Sequence, residues 1–172
     1  MKNLLLVLLT LTASNAFASK ARLASLQSAD HVVDTQTIFK NPSDLSLLTP
    51  FMTYEMGAVG AGAEGGFSRK LANGNMLGIY LGHDNSSDLR DGTTYLKQQN
   101  PIELIYSMGA MGFSGSFSTV DNKKSGTKET TLVGKFGARN GDVAYYAHLT
   151  AISTAEKTGT PDKKSRLLLV YC

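Results

Sequence analysis

From about Thr49 onward, apolar and polar side chains alternate with a period of two, the period of a strand rather than a helix. Met52, Tyr54 and Met56 share one face, with Thr53 and Glu55 on the other. Phe67 and Leu71 oppose Gly66, Ser68 and Lys70, and Leu77, Ile79 and Leu81 alternate with Gly78, Tyr80 and Gly82. Ile102, Leu104, Tyr106 and Met108 then fall together. Met111, Phe113 and Phe117 follow, with Gly112, Ser114, Ser116 and Ser118 opposite. Leu132 and Phe136 alternate with Val133, Lys135 and Gly137, and Val143, Tyr145, Ala147, Leu149 and Ala151 oppose Ala144, Tyr146, His148 and Thr150. Leu167, Leu169 and Tyr171 close the series. The pattern predicts eight strands and an all-β fold.

The connections between these strands carry a second pattern. Tight turns are expected at Asn73-Gly74, near Gly109 to Gly112, and at Asn140-Gly141. Polar stretches at 84–100, 121–128 and 154–165 read as long loops. Short turns on one rim and long loops on the other are the arrangement of an antiparallel up-and-down transmembrane β-barrel. Charge concentrates in the long stretches, at Lys123, Lys124, Lys128, Lys157, Lys163 and Lys164. A soluble sheet would carry more of it within its strands.

The chain before Thr49 behaves differently. Lys2, the apolar run Leu4 to Leu11 and the small residues of Ala16-Phe17-Ala18 form a secretory signal, with cleavage expected after Ala18. Residues 19–47 read as an N-terminal extension or plug, with a helical turn near Ala21 to Leu26 and a chain reversal at Asn41-Pro42; the barrel is expected over 48–172. No later segment has the roughly 20 apolar residues of a spanning helix. A membrane location therefore demands a closed barrel, because lipid cannot satisfy an open sheet's backbone groups.

Composition narrows the function classes. A net charge of +3 is too small to argue for nucleic acid as a partner. The single cysteine, Cys172, excludes an internal disulfide and reads as a passive thiol. Seventeen glycines and many serines on the non-apolar face suit the crowded interior of a narrow barrel. The absence of Trp leaves Tyr and Phe to supply interfacial girdles.

Few strand positions carry chemistry. Glu55, Tyr80, Lys135, Arg139, Tyr146 and His148 are the candidate lumen-facing residues, with Glu55 or Glu64 the expected partner of Lys135. Arg69 shares a face with Phe67 beside a turn, where it can snorkel to the rim. Gly60-Ala61-Gly62-Ala63-Glu64-Gly65 matches a dinucleotide-binding spacing literally, but a strand follows it where such a site needs a helix. His31, His83 and His148 lack metal-like spacing. His83, Asp84 and Ser86 are the sole local set resembling a hydrolase constellation, and sequence adjacency does not supply triad geometry. No catalytic residue, metal or cofactor is expected.

Taken together, the leader, strand phase and loop alternation resemble those of bacterial outer-membrane β-barrel proteins. A narrower resemblance lies in Ala21-Arg22-Leu23-Ala24-Ser25-Leu26, Asp34-Thr35-Gln36-Thr37-Ile38-Phe39 and Asn41-Pro42. This stretch is similar to the mature N-termini of the major porin-like outer-membrane proteins of predatory deltaproteobacteria. The resemblance implies a surface-exposed barrel with a structural, surface-interaction or porin-like role. Its partners would be outer-membrane lipids, the barrel insertion machinery and, in a homo-oligomer, further copies of itself. The alternatives are a soluble periplasmic or secreted β-barrel binding a small apolar ligand, and an outer-membrane barrel enzyme.

Overall fold

The computed structural model describes residues 33–56, 63–83, 100–122, 127–157, 160–163 and 166–171. The segment expected to be a secretory signal, the turn expected at Ala21 to Leu26, and His31, Asp84, Ser86 and Cys172 lie outside the described residues. So do most of the 84–100 stretch and Gly60 to Gly62.

The described residues are all-β apart from two short 3₁₀ segments, Thr37–Phe39 and Pro42–Leu47. Asn41 starts the second: its side-chain oxygen accepts from the Ser43 backbone N–H, and Pro42 takes the first position, where a missing N–H costs nothing. Seven strands then follow as a meander: β1 (Met52–Glu55), β2 (Glu64–Lys70), β3 (Met76–Leu81), β4 (Ile102–Met108), β5 (Met111–Asn122), β6 (Thr127–Asn140) and β7 (Val143–Lys157). Each pairs antiparallel with the next. Two further segments, β8 (Thr160–Lys163) and β9 (Arg166–Tyr171), lie in succession along β7.

This differs from the expected eight-stranded closed meander in two respects. First, the sheet is not closed: among the described residues β1 pairs with β2 alone, and neither β8 nor β9 pairs with it. Second, the described residues of two stretches read as long loops are strand. The β5–β6 ladder runs out to Asn122 opposite Thr127, and β7 and β8 pair from Thr154–Lys163 to Lys157–Thr160. Lys, Thr and Glu in an exposed two-stranded ribbon look like a loop by composition, yet the ladder needs only backbone groups. Thr119 and Thr130 hydroxyls meet at 3.2 Å in that ribbon, and Lys128 lies 3.9 Å from Asp121.

The turns also shift by a residue or two. The β2–β3 reversal spans 71–75, with Leu71 and Asn75 hydrogen-bonded and Gly74 at φ 86°. Asn140 pairs with Val143, so the two central residues of the β6–β7 turn are Gly141 and Asp142, with Gly141 at φ 59°. Register slips once, between Leu132 and Val133, which face Ile152 and Thr150 and leave Ala151 as a bulge.

The alternation itself places the faces. Met52, Tyr54, Phe67, Leu81, Ile102, Leu104, Met111, Phe113, Phe117, Leu132, Phe136, Val143, Tyr145, Leu149 and Ile152 are all exposed on one face. The opposite face is buried, and it is mostly polar: Glu64, Ser68, Glu103, Ser107, Ser114, Ser116, Ser118, Thr131, Lys135, His148 and Thr150. A small apolar cluster of Ile38, Phe39, Leu45, Met76, Tyr80 and Ile105 sits between the 3₁₀ segments and the sheet, flanked by Leu48 and Phe51. This is the reverse of a water-soluble sandwich, whose inner face is apolar and outer face polar.

Candidate functional site

Residues 34–48 lie against the buried face, and the sheet curves around them. Their contacts reach from β2 to β7. Gln36 donates through Nε2 to Glu64 Oε1 at 3.1 Å, on β2. The Ser107 hydroxyl on β4 donates to the Ser43 carbonyl at 3.3 Å, and Ser46 donates to the Gly109 carbonyl at 2.6 Å. Arg139 on β6 grips Asp44 at 2.8 Å. On β7, His148 Nε2 lies 2.8 Å from the Lys40 carbonyl. A carbonyl can only accept, so this nitrogen carries the proton. The Lys40 ammonium lies 5.3 Å from the centre of the Tyr146 ring.

Two glycines make the seat. Gly112 and Gly137 are register partners on β5 and β6. A Cβ on Gly112 would collide with the Pro42–Ser43 peptide, and one on Gly137 with the Asn41 side chain. The Asn41-Pro42 reversal therefore rests directly on the backbone of two strands. A second register pair, Gly115 and Gly134, has open space where its Cβ atoms would stand.

Beside the seat lies a buried ion pair. Lys135 Nζ donates to both Glu103 oxygens, at 3.1 and 3.4 Å, and the Ser114 hydroxyl donates to Oε1 at 2.7 Å. The Lys135 and Glu103 side chains are 0% and 1% exposed. Glu103, two strands away, takes the place expected of Glu55 or Glu64. The strand between them explains this: Glu103 pairs with Ser116 and Lys135 with Ser114, so both long side chains cross a row of serines to meet.

At the other end of the sheet Glu64 gathers a second group. Tyr80 donates its hydroxyl to Glu64 Oε1 at 3.4 Å, and His83 Nδ1 lies 3.4 Å from Oε2. The His83 ring stacks on Phe39 with centroids 3.5 Å apart, and Tyr80 meets Phe39 edge-on at 4.6 Å. Glu55 pairs in register with Glu64 across the β1–β2 ladder. Glu64 and His83 thus meet the 3₁₀ segment through Gln36 and Phe39 respectively. Among the described residues no three His, Cys, Asp or Glu side chains converge as metal ligands. Glu64-Gly65, the end of the glycine-rich motif, opens β2 and precedes no helix.

Of the six residues singled out from sequence, Tyr80, Lys135 and His148 are buried on the inner face, and Glu55, Arg139 and Tyr146 are half-buried there. They fall into two groups: Glu55 and Tyr80 beside Glu64 at one end, and Lys135, Arg139, Tyr146 and His148 across β6 and β7. The residues missed were Glu103, Asp44 and the Gly112–Gly137 pair. Glu103 was detectable, because it stands in opposite phase to Ile102 and Leu104.

No family model, no curated protein and no solved structure matches this chain.

Proposed function

We propose that this chain is an outer-membrane protein of the β-barrel type, its apolar face against lipid and its polar face enclosing a plug, with a structural, surface-interaction or porin-like role in the envelope. One observation carries the reading: the inversion of the sheet. Phe113, Phe117 and Leu149 are 43%, 46% and 48% exposed while Lys135 and Glu103 are 4% and 1% exposed. Water would reward the opposite arrangement, and hydrocarbon rewards this one. A patch of this size is otherwise the mark of an interaction surface, and here it runs through every strand from β1 to β7 rather than forming one spot.

The reading has a structural requirement. In hydrocarbon each unpaired backbone group costs several kcal/mol. The outer edges of β1 and of β8–β9 must therefore be paired in the membrane, with each other or with a second copy. Binding of a small apolar ligand is less favoured, because the buried face offers hydroxyls, carboxylates and cations and is occupied by residues 34–48.

Leu149→Arg tests the reading. In lipid it costs about 2–4 kcal/mol near the midplane, and the variant is expected to be lost from alkali-washed membranes while the parent stays. On a water-covered face the same change would cost within about 0.5 kcal/mol. Recovery of the parent without detergent, or a variant that assembles as well as the parent, overturns the proposal.

A further inference from the structure

We infer that residues 34–48 are a displaceable plug, and that moving them off the Gly112–Gly137 seat opens a polar passage for small ions along the inner face. The inference rests on the membrane-barrel reading above and adds a closed and an open state to it.

Three features separate this segment from an ordinary core element. Its attachment to β6 and β7 is polar: the Asp44–Arg139 ion pair, the His148 contact to the Lys40 carbonyl and the Lys40 ammonium near the Tyr146 ring, while Ser107 and Ser46 add hydroxyl contacts at the end of β4. Its steric seat is two glycines, which supply space and no side-chain grip. The surface it covers is composed for water. Ser107 meets the segment directly, and the inner face carries further buried hydroxyls at Ser114, Ser116, Ser118, Thr131 and Thr150. Lys135 and Glu103 neutralise each other within the sheet and do not depend on the plug, whereas its departure takes Asp44 away from Arg139.

The segment's apolar anchor is confined to one side. Ile38, Phe39 and Leu45 pack with Met76, Tyr80 and Ile105 near β3 and β4. The plug can thus swing from the β5–β7 side while remaining tethered at β3–β4. The energy difference between the two positions is set chiefly by the seat and the Asp44–Arg139 pair.

The test uses the full chain refolded into phosphatidylcholine vesicles loaded with potassium chloride, with potassium efflux as the readout and alkaline washing as a separate measure of insertion. Gly137→Ala places a methyl against Asn41, and Asp44→Arg faces Arg139 with a like charge. Each is expected to raise efflux about tenfold or more, the response to shifting a two-state equilibrium by one order of magnitude. Gly134→Ala, where a Cβ meets nothing, should leak like the parent. Asp44→Arg combined with Arg139→Asp should restore the slow rate, which a general loss of packing would not do. Variants that stay inserted and leak like the parent overturn the plug, as does a parent that already leaks at the variants' rate. A parent that washes out at high pH overturns the membrane reading and the plug with it.

Discussion

Glu103 shows how much a single side chain sets on the inner face. Its carboxylate receives Lys135 on both oxygens and Ser114 on one, all out of contact with water. Removing one partner of a buried pair strands the other's charge, at a cost of about 3–5 kcal/mol, whereas replacing both by apolar groups of similar size is far cheaper. Glu103→Gln should lower the unfolding midpoint in detergent sharply, and Glu103→Gln with Lys135→Met should recover most of the loss. A double variant as unstable as the single one would show that Lys135 is held mainly by something other than Glu103. The phase of these residues was legible in the sequence, since Lys135 and Glu103 each stand opposite apolar neighbours. Their pairing was not, because it depends on the register of β4 and β6 against the strand between them.

The same contrast holds for elements. Strand β4 has the limits that its alternation gave, Ile102 to Met108, because a half-buried strand repeats every second residue and a slip of one would expose the wrong face. The outer parts of β5, β6 and β7 were hidden, since the 121–128 stretch carries the charge of a loop while Asp121 and Asn122 continue the ladder opposite Lys128 and Thr127. The bulge at Ala151 belongs to this scale. Ala151 and Ile152 are both exposed while Thr150 is buried, so the extra residue preserves the face on either side of itself. Deleting Ala151 should therefore leave assembly intact, with Leu132 still opposite Ile152. Deleting Ala147 shifts one arm of β7 by a residue and puts Leu149 inward; it should abolish compact, heat-sensitive migration on gels. Equal tolerance of the two deletions would mean that register is not held by the faces.

For the molecule as a whole, stability is graded from the middle outward. Strands β4 to β6 have a neighbour on each side and the Pro42–Leu47 segment against them, while β1 is four residues long and pairs on one side only among the described residues. Amide exchange in detergent should be slowest from Ser114 to Ser118 and from Thr131 to Lys135, and fastest in β1, because protection follows local burial and pairing. Fast exchange throughout β5 and β6 would contradict a single cooperative sheet. The two-faced sheet could be read from the sequence because it follows from side-chain period alone. The place of residues 34–48 could not, since nothing in Asn41-Pro42 identifies Gly112 and Gly137 as the surface it rests upon.

The plug precedes in sequence every strand that holds it. Asp44 and Arg139 are 95 residues apart, and Lys40 and His148 are 108 apart. Contacts of such long range are slow to form, because chain must be ordered before it is rewarded. The pocket for Asn41-Pro42 comes into being only once β5 and β6 have zipped together. Docking of residues 34–48 is thus expected late, and a chain stalled before it would hold a built sheet with this segment still hanging loose, where a protease should cut it first.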